Sequence, residues 1–194
     1  MKSNLVLAAF FAILTGVGAQ ISIPLPGMVP FTMQTMVVLM SGLLLGPKYG
    51  PASQLLYMAM GLVGLPVFSG GTGGIQSVLS PSFGFIPGFV FASWVAGAVM
   101  SRSVRTWNTP RRAALVSCAA ACILASVAIY VVGIPLFLLN MNYITNVPMN
   151  VGRALQLAML PFAVTDVIKA VAAGALALGV MRLMRGAGER KRCI

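Results

Sequence analysis

The chain has 194 residues, the length of one domain, and 59% of them are hydrophobic while only 8% are charged. Soluble domains carry about 25% charged residues, so a mean hydropathy of +0.96 excludes a water-covered surface and marks an integral membrane protein. The net charge of +11 would suit a nucleic-acid binder, but the places where the charges lie argue against that.

A membrane-spanning helix needs about 20 apolar residues, and apolar runs between Pro, Gly and charge breaks give six spans. The first, 4–23, lies in "MKSNLVLAAFFAILTGVGAQ". Its basic start, apolar stretch and Gly18-Ala19 have the layout of a cleavable signal, but the apolar run is long for one. It is read as a span, with Ala8 and Ala12 making a small-xxx-small face that permits close helix approach. The second and third spans, 31–46 and 51–66, are short, roughly 24 Å each at 1.5 Å per residue. They should end inside the membrane thickness, leaving "GPKYGP" on one side and the glycine loop "GLPVFSGGTGG" recessed on the other. The fourth, fifth and sixth spans are 84–101, 113–139 and 159–182. No internal repeat or long linker interrupts them, so residues 1–194 are expected to form one all-α domain of six transmembrane helices.

The positive-inside rule tests this map. With the N-terminus cytoplasmic, Lys2, Lys48, Arg102, Arg105, Arg111, Arg112, Arg182, Arg185, Arg190, Lys191 and Arg192 all fall inside, 11 of the 13 basic residues. Arg153 falls outside and Lys169 within a span. Both termini are therefore expected in the cytoplasm, and the basic excess orients the protein without any nucleic acid. Histidine is absent, which removes imidazole general bases and imidazole metal ligands together. Cys118, Cys122 and Cys193 have neither a disulfide nor a metal-site spacing, and Cys118 and Cys122, four apart in an apolar run, are read as small packing residues.

Three segments then lie outside, "PLPGMVPFTMQT", "GLPVFSGGTGGIQSVLSPSFG" and "NMNYITNVPMNVGRALQLAMLP". They hold amides, hydroxyls, aromatics and glycines, with Arg153 as the single charge. Irregular backbone at membrane depth is tolerated where protein or a water-filled cavity satisfies it. The glycines at 70, 71, 73 and 74 allow tight turns that bring N–H and C=O groups close to a ligand. Phe68, Ser69 and Thr72 add an apolar face and two hydroxyls. A compact re-entrant turn with no ligand is the alternative. A phosphate cradle fits poorly, because the Gly-Lys-Ser/Thr ending is missing.

In the last span, "LPFAVTDVIKAVAAGALALGV", Asp166 and Lys169 are three apart and share a helix face. Each would cost about 2.5–3.5 kcal/mol at a span centre. Such residues ordinarily face a cavity or pathway, although a mutually neutralising pair that merely plugs the bundle would look the same. A carboxylate beside an ammonium suits a neutral amide-like or ureido edge. Gln34, near the outer end of the second span, is a third polar group at similar depth, or a solvated residue at the helix mouth.

At these residues the sequence resembles the BioY family, the biotin-specific substrate-binding (S) components of energy-coupling factor (ECF) transporters. "VPFTMQTMVVLMSGLLLGPKYGPASQLLYMAMGLVGLPVFSGGTGG" is similar to the family's N-terminal half, and "DVIKA" to its closing Asp-x-x-Lys motif. Thr165 stands where members often have Gly, and "SPSFGF" replaces a Gly-Pro-Thr-Gly-Gly type of turn. The resemblance implies an S-component fold with biotin bound near the outer face by Asp166, Lys169, Gln34, Phe68, Gly71, Thr72 and Gly73. It implies no cofactor, no metal and no enzymatic activity. It also implies a transmembrane coupling (T) subunit and two ATPase subunits as partners, docked through Ala8 and Ala12. That agrees with the absence of a nucleotide motif in the chain, since uphill transport needs an energy source. An autonomous facilitator is the rival reading.

Overall fold

The computed structural model of the protein describes residues 2–23, 29–103 and 111–190. Arg105, Lys191, Arg192 and Cys193 lie outside the described residues, as does the start of the first outer segment. Helix α1 (Lys2–Gln20) leads into a two-stranded antiparallel ribbon, β1 (Ser22–Ile23) with β2 (Phe31–Thr32), in which Ser22 pairs with Thr32. Then follow α2 (Gln34–Leu62), α3 (Phe85–Ser103), α4 (Arg111–Leu139), α5 (Val151–Ala158) and α6 (Leu160–Arg190). Among the described residues, four stretches are long and apolar enough to cross a membrane: Ser3–Gln20, Pro81–Arg102, Arg112–Ile144 and Leu160–Met181.

Helix α2 is a hairpin rather than a rod. Gly46 takes φ 75°, ψ −174°, a conformation that only glycine adopts cheaply. Pro47 follows at the first position of the new helix, where its missing N–H has no partner to lose. The arms 34–45 and 47–62 then lie side by side. A Cβ built on Gly50 would sit 3.0 Å from Gly42 Cα, and Gln54 Nε2 donates to Ser41 Oγ at 3.1 Å. Each arm is short, about 18 and 24 Å at 1.5 Å per residue. The expected spans 31–46 and 51–66 are thus corrected to 34–45 and 47–62. The second arm stops at Leu62 because Gly64, at φ 115°, cannot continue a helix.

Small residues set the helix spacing. Ala92, Ser93 and Ala96 of α3 are fully buried. A side chain on Gly42 would overlap the Ser93 carbonyl, and one on Gly97 would overlap the backbone at the Gly46 kink. On α1 the inward stripe is Ala8, Ala12, Thr15 and Ala19, all buried. Thr15 Oγ meets Gln54 Nε2 at 3.3 Å. Ala8 and Ala12, expected to face a partner, are buried within the chain itself. At 4% and 0% exposure they serve close packing of α1 within this bundle, while Leu5, Val6, Phe10, Ile13 and Val17 point outward.

The third segment expected outside also holds more structure than its composition announces. α4 runs on through a π turn, Asn140–Ile144. α5 begins where the Asn150 side chain accepts from the Arg153 backbone N–H at 2.8 Å, satisfying a donor left free at a helix start.

Candidate ligand cavity

A cavity of about 680 Å³ opens at one end of the bundle, within the 300–1,000 Å³ typical of small-molecule sites. Its walls come from the start of α2, the segment from Gly64 to Ser82, the start of α3, the end of α4, the last turn of α5 and the start of α6. All seven residues expected at the site line it: Gln34, Phe68, Gly71, Thr72, Gly73, Asp166 and Lys169.

The glycine loop is shaped by its own backbone. Phe68 N–H donates to Thr72 O at 3.0 Å and Gly71 N–H to Phe68 O at 3.1 Å, closing a small ring. Gly70 and Gly71 sit at φ 73° and 70° to make that turn. Thr72 Oγ donates to Ser69 O at 3.1 Å. Gly73 has a different requirement, because a Cβ there would overlap the Leu65 carbonyl. From α1, Gln20 Nε2 donates to Phe68 O at 3.2 Å and steadies the loop. Gly74 N–H ties it to Gly61 O at 2.7 Å.

Phe68 forms part of the floor. It is 4% exposed, edge-on to Tyr57 and Phe83 at 5.5 and 5.9 Å, and seated on Gly61, where any side chain would overlap its ring. Next to it, Gln34 Nε2 donates to Tyr57 Oη at 2.6 Å, Thr32 Oγ donates to Gln34 Oε1 at 3.0 Å, and Tyr57 Oη donates to Val67 O at 3.3 Å. Gln34 is buried within this relay, so it is not a solvated residue at the helix mouth.

Lys169 Nζ lies 3.2 Å from Asp166 Oδ1, with side-chain exposures of 4% and 13%. Tyr130 of α4 donates to Asp166 Oδ2, and the ring of Phe31 covers Lys169 Nζ at 4.0 Å from its centroid. A cation held over a ring face gains electrostatic stabilisation in a dry setting. Sequence reasoning missed Tyr130, Phe31 and Tyr57. Tyrosine inside an otherwise apolar run carries a hydroxyl that needs a partner when buried, and that signal was present at positions 57 and 130. Phe31 offered no signal beyond its apolar character. Among the described residues there is no group of three or more His, Cys, Asp or Glu side chains that could hold a metal ion.

The fold and cavity define a helical membrane protein with a small-molecule site at one end. A sequence model of the BioY family matches residues 1–186, and the chain belongs to that family. It is 38% identical to the probable biotin transporter BioY of Lysinibacillus sphaericus over 95% of this chain and 89% of the relative. To the biotin transporter BioY of Thermotoga maritima it is 34% identical, over 93% and 96%. The structure is similar to the S-component for biotin from an ECF-type ABC transporter, with a TM-score of 0.76 and 26% identity, covering 93% of this chain and 92% of that one.

Proposed function

We propose that the cavity binds biotin and that the chain is the substrate-specific subunit of an ECF-type transporter, a single six-crossing domain over 1–194. Four crossings come from α1, α3, α4 and α6, and two from the arms of α2. Both termini lie in the cytoplasm, which puts the cavity at the outer face. The helices support this arrangement. Asp166 lines the cavity at one end of α6, and Arg182 and Arg185 come roughly 24 Å or more later at 1.5 Å per residue. Gln34 opens the first arm of α2, and Lys48 stands at the hairpin turn beyond that arm's other end. The basic ends are those that the positive-inside rule keeps in the cytoplasm.

The observation that carries the ligand assignment is the state of Asp166. A carboxylate has about four lone-pair sites. Tyr130 and Lys169 occupy two, leaving two toward the cavity for two N–H donors. The ureido ring of biotin offers two N–H groups and one carbonyl. That carbonyl is met by a remaining Lys169 N–H or by the second amide hydrogen of Gln34. The apolar thiophane lies against Phe68, Phe83, Phe85 and Phe89. The chain has no nucleotide motif, so energy comes from a T subunit and two ATPase subunits, with no cofactor in this chain.

Binding of radiolabelled biotin to the purified chain without partners tests the reading, with stoichiometric binding expected. Desthiobiotin, which keeps the ureido group, should compete far better than an analogue lacking those N–H donors. A site built to bond such donors rejects the analogue by as much as about 10⁴. Equal competition by the two would sink the ureido assignment and favour Lys169 holding the valerate carboxylate. Uptake in cells that express this chain alone would instead support the autonomous facilitator.

A further inference from the structure

The cavity is charged at its floor and neutral at its rim. Lys169 is its one lining cation among the described residues, and it is buried, paired with Asp166 and covered by Phe31. The exposed lining is of another kind and includes Gly64, Pro66, Gly71, Thr72 and Gln76, while the lining residues Ser69, Ser80 and Ser82 are half-buried. The segment 24–28, "PLPGM", which precedes the lining residues Val29 and Pro30, contains no ionisable side chain. Apart from Lys169, the basic residues of α3, α4 and α6 stand at the far ends of those helices. Arg112 precedes Tyr130 by about 27 Å of helix, and Arg182 follows Lys169 by about 20 Å. Arg153, on α5, is exposed and outside the lining.

We infer that the site does not read the ligand's free carboxylate, and that it accepts biotin whose carboxyl group is joined in an amide, including biotin linked to the side-chain nitrogen of lysine. This rests on the ureido assignment above. With the ureido ring on Asp166, the valerate chain runs toward the rim and ends among hydroxyls and amides. There a carboxylate keeps its water and meets no counter-charge. An exposed charge of that kind adds little binding, so its conversion to an amide changes little. Hydroxyl and amide groups can donate to a carboxylate or to an amide carbonyl, and at an exposed rim water competes with them for the carboxylate. The cavity volume of about 680 Å³ and its opening leave room for the added atoms. Lysine-linked biotin is the product expected when peptide bonds of biotin-carrying proteins are hydrolysed, so that reaction class would supply the second substrate.

The test is competition against radiolabelled biotin on the purified full chain, with biotin, the primary amide of biotin and biotinyl-lysine. Inhibition constants within about threefold of one another are expected, and Arg153→Gln should leave the ratios unchanged. A preference for the free acid of thirtyfold or more overturns the inference. If Arg153→Gln abolishes that preference, Arg153 reads the carboxylate; if it persists, Lys169 does. An analogue lacking the ureido N–H groups is run alongside. Its equal competition would overturn the ureido assignment itself, whereas its rejection together with the amide's rejection would overturn only the rim inference.

Discussion

Tyr130 on α4 donates its hydroxyl hydrogen to Oδ2 of Asp166 on α6, and Lys169 takes the other oxygen from one turn further along. The carboxylate is therefore fixed from two helices before any ligand arrives. Hydrogen bonds to charged groups contribute about 1.5–3 kcal/mol. Tyr130→Phe keeps the ring against Phe85 and removes only the donor. It should weaken biotin binding about tenfold while leaving detergent-solubilised protein folded, as read by titration calorimetry and a melting curve. Unchanged affinity would mean that Lys169 alone orients the carboxylate.

Ala8 and Ala12 make a second case. Since both are buried against the rest of the bundle, leucine at these positions overpacks an interface already at contact. Overpacking costs about 1–3 kcal/mol per site. Ala8→Leu/Ala12→Leu should lower the melting temperature of the isolated chain and its biotin binding together. A variant that melts and binds normally, yet fails only in ATP-driven uptake, would support the role in partner docking.

The apolar runs and the Asp166/Lys169 spacing were legible because hydrophobicity and buried charge leave strong marks in a sequence. The hairpin break was half legible: "GPKYGP" announced a turn, but Gly46 and Pro47 restart the helix four residues before 51. α5 was hidden, since Asn150 and Arg153 read as loop polarity until the cap is seen. Which side of α1 faces inward was not legible at all. A small-xxx-small face looks the same whether the neighbour is in this chain or another, and the Thr15–Gln54 contact shows one neighbour within this chain.

The glycine loop separates two kinds of strain. A Cβ on Gly71 would meet only Gln20 Oε1, at an ordinary 3.8 Å, but the residue lies at φ 70°, where an L residue costs about 1–2 kcal/mol. Gly73 has no such φ, yet its Cβ would overlap the Leu65 carbonyl. Gly71→Ala should therefore weaken binding by roughly tenfold, in line with that strain, and Gly73→Val should do more damage because backbone must move. If both variants bind as wild type in an equilibrium assay, the loop is a connector and not part of the site.

The ion pair on α6 gives the sharpest test, because stability and recognition come apart. Removing one partner leaves the other buried without its counter-charge, at about 3–5 kcal/mol, whereas replacing both partners together is often nearly neutral. Asp166→Asn and Lys169→Met should each lower the melting temperature and cut biotin affinity by roughly two orders of magnitude or more. The double variant Asp166→Asn/Lys169→Met should recover most of the stability, since Met keeps an apolar stem under Phe31 and Asn still accepts from Tyr130. It should not recover binding, because an amide offers one acceptor oxygen where the carboxylate offered two. Melting curves and biotin titrations on the same preparations read the two effects separately. A double variant that regains biotin affinity as well as stability would show that the pair only neutralises itself within the bundle, and that the ligand's polar head is held elsewhere, by Gln34 and the loop.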